Sequence, residues 1–109
     1  MEISLGEFEE VVLLLVAVHH NDAYGLSINN SIKEKLNRNV TLSSVHTALY
    51  RLEEKGFLES AIGGATSERG GRSKRIFKIT NLGKQALETS RESRNMLWNM
   101  IPQITFEGL

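Results

Sequence analysis

Ser43, Ser44, His46, Thr47, Tyr50 and Arg51 fall in one short stretch of this chain, and each carries a hydrogen-bonding group. Hydroxyls and an imidazole can donate to or accept from base edges and phosphates, and a guanidinium can grip guanine or phosphate with two parallel bonds. A second group, Arg69, Arg72, Lys74 and Arg75, is cationic and lies beside Gly63, Gly64, Gly70 and Gly71. Glycine lets a loop follow a groove closely, while arginine binds phosphate bidentately or reaches into a minor groove. Both groups have the chemistry of recognition. Catalysis finds little support, because Ser, His and Asp are scattered without a convergent acid/base pair, nucleophile set or metal set. There is no cysteine, which excludes disulfides, thiolate catalysis and Cys-based zinc sites. His19 and His20 are adjacent, so on a helix they point about 100° apart and cannot easily share a metal. They read as a solvated helix end.

The elements that must position these residues follow from apolar spacing. Val45, Leu49 and Leu52 recur at i, i+4 and i+7, the signature of one buried helix face over 41–56. Thr41 is the expected N-cap and Gly56 the expected stop. Any surface helix has a polar side, so this pattern alone does not separate a groove-reading helix from an ordinary one. Its neighbours sharpen the reading. A preceding helix over 24–37, with Leu26, Ile28, Ile32 and Leu36 as its stripe and Asp22 as its cap, is joined by a short turn and makes a helix-turn-helix candidate. After it, 57–62 and 75–79 read as two strands around the glycine-rich basic loop. A helix pair followed by a basic-tipped hairpin is a winged-helix arrangement.

A first helix is expected over 5–20, opened by a Ser4/Glu7 capping box. Its run from Val11 to Val18 is apolar all round, which requires burial on every side, by the domain or by a second subunit. The eight-residue run is far short of the ~20 residues that span a membrane and has acids before it, so a cytoplasmic setting is expected. A last helix over 81–100, capped by Thr80, is about 30 Å long. Its inner end can pack on the body, while Met96, Leu97, Trp98 and Met100 would be left in water unless a partner subunit covers them.

The 109 residues suffice for one domain with a modest core. Apolar (40%) and charged (24%) fractions are those of an ordinary globular protein, and the net charge is zero. That balance argues against a generic polyanion binder, but the charges are segregated. Glu2, Glu7, Glu9, Glu10 and Asp22 lie in residues 1–22 with no Lys or Arg, whereas residues 69–78 hold five cations and no acid. Segregation steers a partner to one face.

Taken together these stretches resemble the PadR-type transcriptional regulators, in particular their small subfamily. The resemblance spans 5–87 and rests on five motifs in register. They are Leu5-Gly6-Glu7, Ala23-Tyr24-Gly25, the block from Ala48 to Gly56, the run Gly70-Gly71-Arg72-Ser73-Lys74-Arg75, and the run from Phe77 to Gly83. It implies a mainly α fold with a small β-hairpin: a winged helix-turn-helix, with residues 1–79 as DNA-binding domain and 80–109 as dimerisation helix and tail. The implied function is a dimeric repressor on a near-palindromic operator, with no cofactor and no metal. Its DNA-binding residues would be Ser43, Ser44, His46, Thr47, Tyr50, Arg51, Arg69, Arg72, Lys74 and Arg75. Small members can bind planar aromatic or hydrophobic effectors where the last helices meet, which points to Met96, Trp98 and Met100; simple interface packing is the other reading. Family members usually carry Tyr at the position of His46 and often Pro at that of Thr47. Both positions are expected on the exposed side of the helix, where they would alter the contact set. The competing function is a winged-helix protein-interaction module without DNA binding, which would be indifferent to Arg72→Ala with Arg75→Ala.

Overall fold

Val12, Leu13 and Val16, all essentially inaccessible to solvent, put the first helix at the centre of the molecule. The computed structural model describes residues 5–63 and 74–109. Three helices come first, α1 (Glu7–Val18), α2 (Gly25–Leu36) and α3 (Leu42–Glu54). The strands β1 (Leu58–Gly63) and β2 (Lys74–Ile79) follow, then α4 (Asn81–Met100) and a short 3-10 turn at Gln103–Phe106. This is a winged helix-turn-helix, mainly α with one antiparallel hairpin, and a long C-terminal helix.

Local sequence explains most of the boundaries. Thr41 caps α3 by accepting from the Ser44 N–H at 3.1 Å, and Gly56 ends that region at φ +82, a conformation that favours glycine. Asn37 closes α2 in the left-handed region, which Asn tolerates better than most residues. The turn between α2 and α3 is pinned by Asn29 Nδ2, which donates to the Val40 carbonyl at 3.1 Å. The α2 cap differs from expectation. Tyr24 occupies the cap position, and the Ser27 hydroxyl accepts the Tyr24 N–H and donates to the Asp22 carbonyl, both at 2.9 Å. Asp22 contributes only its backbone, because the chain turns sharply at Asn21 (φ +69) before the helix begins.

Four further expectations are revised. α1 starts at Glu7 with Gly6 as its cap and no side-chain cap bond, and it ends at Val18; Ser4 lies outside the described residues. Its apolar run is covered on one side only. Leu14 is 47% and Val18 66% exposed, because the other helices pack on the face of Val12, Leu13, Leu15 and Val16. On α2, Ile28 and Ile32 are buried while Leu26 and Leu36 stay about half exposed. His19 is not simply solvated: its Nε2 lies 2.5 Å from the Ser31 hydroxyl, and Ser31 is buried. That bond gives an otherwise unmatched buried hydroxyl a partner. No cluster of His, Cys, Asp or Glu able to hold a metal occurs among the described residues.

The hairpin pairs Leu58 with Ile79, Ser60 with Phe77 and Gly63 with Lys74. Phe77 fills the core, a burial contributing about 1.5–3 kcal/mol, and its N–H donates to the Ala23 carbonyl at 2.8 Å. The base of the wing is thereby tied to the start of the helix-turn-helix. Thr80 closes the other side, donating to the Gly56 carbonyl at 2.6 Å and capping α4 through the Gly83 N–H at 3.1 Å. Only the first half of α4 then packs on the body, through Gly83 and Ala86; residues 91–100 are exposed throughout. The projecting helix accounts for the elongated outline of 61 × 33 × 20 Å. Among the described residues no helix is long and apolar enough to cross a membrane.

Candidate nucleic-acid interface

Val45, Ala48, Leu49 and Leu52 lock α3 into the core, so the opposite face of this helix is turned outward. Ser43, Ser44, Thr47 and Arg51 are exposed and share a groove of about 650 Å³ with the first turn of α1. The hydroxyls at the tip are organised among themselves. Thr41 Oγ1 lies 3.2 Å from Ser43 Oγ and 2.7 Å from Ser44 Oγ, and the Thr47 hydroxyl donates to the Ser43 carbonyl at 2.9 Å. Each keeps acceptor capacity toward solvent. The Arg51 side chain has no hydrogen bond or ion pair among the described residues, so its fork of donors is uncommitted.

His46 does not join this exposed set. It is half-buried, with its imidazole against the backbone of Gly25, so close that a Cβ there would fall 2.4 Å from His46 Cε1. Its Nδ1 is buried with no hydrogen-bond partner among the described residues. The ring stacks on Tyr50, centroids 6.3 Å apart and 22° between planes, and Tyr50 in turn meets Phe77 edge-on at 6.1 Å. His46 therefore positions α3 against α2. The reason is helical: position 46 is one residue from Val45, on the flank that turns toward α2. Tyr50 serves both roles, packing toward β2 while remaining 47% exposed.

Arg69 and Arg72 lie outside the described residues. Lys74 and Arg75, at the start of β2, diverge. The Lys74 ammonium sits over the Tyr24 ring, 4.1 Å from its centroid, an arrangement favoured by the ring's negative face. Arg75 Nη1 donates to Ser60 Oγ at 2.9 Å, and that hydroxyl donates to Glu53 at 2.6 Å. The chain Arg75–Ser60–Glu53 fastens the wing to the end of α3.

A second concavity of about 500 Å³ lies between α1 and α4, with Leu14, Leu87, Arg91, Arg94 and Trp98 on its walls. Met96 and Met100 are exposed but absent from this lining. Two positions on either side of Trp98 place them about 160° around the helix from it, so the trio expected from sequence does not converge. Residues 87, 91, 94 and 98 follow 4-3-4 spacing and share one face, a signal that spacing alone carries. The Arg94 contact with Glu10 of α1, at 3.2 Å, depends on chain packing and had no such signal.

The transcriptional regulator PadR-like family matches residues 13–89 of the chain. A PadR family transcription regulator from Clostridium difficile superposes with a TM-score of 0.64 at 26% identity, over 87% of this chain and 97% of that one. A PadR-like transcriptional regulator from Bacillus cereus gives 0.71 at 20% identity, over 94% and 93%. Bacillus subtilis PadR, in a complex with operator DNA, gives 0.62 at 21% identity, over 88% of this chain and 48% of that one. No curated protein sequence matches the chain.

Proposed function

The chain belongs to the PadR-like family of transcriptional regulators, which are not enzymes, and on that premise we propose that it binds operator DNA as a two-fold dimer and represses transcription. The observation that carries this reading is the exposed polar face of α3, where Ser43, Ser44, Thr47 and the uncommitted Arg51 line one groove. Each such helix would enter a major groove, and the wings, through Lys74 and the loop arginines Arg69 and Arg72, would hold the flanking backbone. Bacillus subtilis PadR, which shares this fold, forms a complex with operator DNA, and that supports DNA as the partner. Residues 1–79 then act as the DNA-binding domain and 80–109 as the dimerisation helix and tail. Exposed Leu14 and Trp98, on the walls of one concavity with Leu87, make up an apolar surface that a second copy would cover.

The test is selection of bound sequences from a random duplex pool, followed by a salt titration on the selected site. The expected site has half-sites about 34 Å apart. If each subunit neutralises three or four phosphates, log K against log salt should slope at roughly −5 to −7. A flat titration refutes DNA binding and favours a protein-interaction module.

A second reading concerns release by a hydrophobic or aromatic effector. The cavity beside Trp98, with Leu14 and Leu87 on its walls, supports it, since an indole face and aliphatic side chains suit a planar apolar guest. Saturable quenching of Trp98 by a lipophilic aromatic cation is expected; its absence in the dimer leaves Trp98 a packing residue.

A further inference from the structure

Three carboxylates open α1, and each reaches a different part of the fold. Both Glu7 oxygens accept from Arg38 Nη1 at 3.0 Å. Glu9 accepts from Lys55 Nζ at 2.6 Å, and Glu10 from Ser90 Oγ at 2.9 Å and Arg94 Nη2 at 3.2 Å. The first two bear on the interface. Arg38 lies in the turn before α3 and Lys55 at its end, so the two cations bracket the polar face. Glu7 and Glu9 stand on the opposite wall of the same groove as Ser43, Thr47 and Arg51. The Arg38 guanidinium is held further by the Phe8 ring, 5.3 Å from its centroid. Stability gives little reason for the Arg38 pair, whose side chains are 40% and 63% exposed; ion pairs so wet contribute little to folding.

We infer that Glu7 and Glu9 form an acidic lip that withholds Arg38 and Lys55 from phosphate and so restrains binding to duplex of arbitrary sequence. The inference rests on the proposed DNA binding and assigns α1 a part in its specificity. A duplex presents one negative charge per about 1.7 Å of axis. Carboxylates in the groove repel it across the Debye length of about 8–10 Å, and a cation already matched by carboxylate does not neutralise a phosphate and so displaces none of the counterions condensed on the duplex. Both effects subtract from the sequence-independent part of affinity. Hydrogen bonds from the α3 tip to base edges act at short range and are left alone. The ratio between matched and arbitrary sequence therefore widens.

The experiment compares the intact protein with Glu7→Gln, Arg38→Met, the two combined, and Glu92→Gln, a charge-matched change on the exposed part of α4. The probe is a 30-base-pair duplex of mixed sequence, titrated against salt, with thermal midpoints recorded for each variant. Glu7→Gln should tighten binding and steepen the log–log slope by about 0.9 for each Arg38 released, or about 1.8 for a dimer. Arg38→Met in the same chain should abolish that gain, and Glu92→Gln should leave the slope unchanged. An unaltered slope in Glu7→Gln, or a gain that survives loss of Arg38, overturns the lip while leaving DNA binding intact. Salt-independent binding by every variant, the intact protein included, overturns DNA binding itself and the lip with it.

Discussion

Replacing Gly25 by alanine should loosen the recognition helix, although the substitution adds only one methyl at the start of α2. The new Cβ would stand 2.4 Å from His46 Cε1 and 2.8 Å from Nε2, closer than carbon and nitrogen can approach. The imidazole must move, but Tyr50 stacks on it and Phe77 backs Tyr50, so the displacement disturbs packing along α3. Overpacking of this kind costs about 1–3 kcal/mol, and exchanging glycine for alanine in a helix returns at most about 1 kcal/mol. The net expectation is a loss of about 1–2 kcal/mol. His46→Ala alone should cost less, since it also removes the buried Nδ1 that lacks a partner, a defect worth about 1–3 kcal/mol. Combined with His46→Ala, the added methyl has room, so the double variant should be no less stable than His46→Ala. Urea denaturation of the four proteins measures the cycle, and a coupling of about 1–2 kcal/mol is expected. Additivity within about 0.5 kcal/mol would falsify the claim that these two positions are fitted to each other.

Gly83→Ala should be more damaging and beyond rescue by a neighbouring side chain, because its Cβ would fall 2.3 Å from the Phe57 carbonyl oxygen, a backbone atom; a loss of about 3 kcal/mol or more by denaturation is expected, and wild-type stability would refute it. Trp98 is the single tryptophan and is 66% exposed in one copy. Its emission should shift to the red on dilution as the dimer separates, and a concentration-independent spectrum would count against burial of this residue between subunits. Thr41→Ala removes the cap bond to the Ser44 N–H and should cost about 1 kcal/mol, read as a lower urea midpoint with unchanged slope.

Much of the fold was legible because it follows from local rules. Val45, Leu49 and Leu52 at helical spacing place α3, Thr41 starts it, and Thr80 starts α4. Those are short-range relations between side chain and backbone, so the chain order carries them in full. The same holds for the polar tip of α3 and for the two strands on either side of residues 64–73. Motif residues acquired their reasons only in three dimensions. Gly25 is glycine because His46, from the next helix, lies against it, and Gly83 because the Phe57 carbonyl does.

Long-range packing decided the rest. Spacing says that His46 lies on a flank of α3, but only the approach of α2 makes that flank half-buried. Apolar residues on every side of α1 say that much of it must be covered, yet the body covers one face and leaves Leu14 and Val18 to the surface beside α4. The acids at its start are legible as favourable to the helix dipole. Their pairing with Arg38, Lys55 and Arg94 is not, because those partners lie 31, 46 and 84 residues away. Sequence alone thus determined which elements form and where most of them begin and end; the fold decided which of their faces are covered and which residues meet, since distance along the chain carries no record of distance through space.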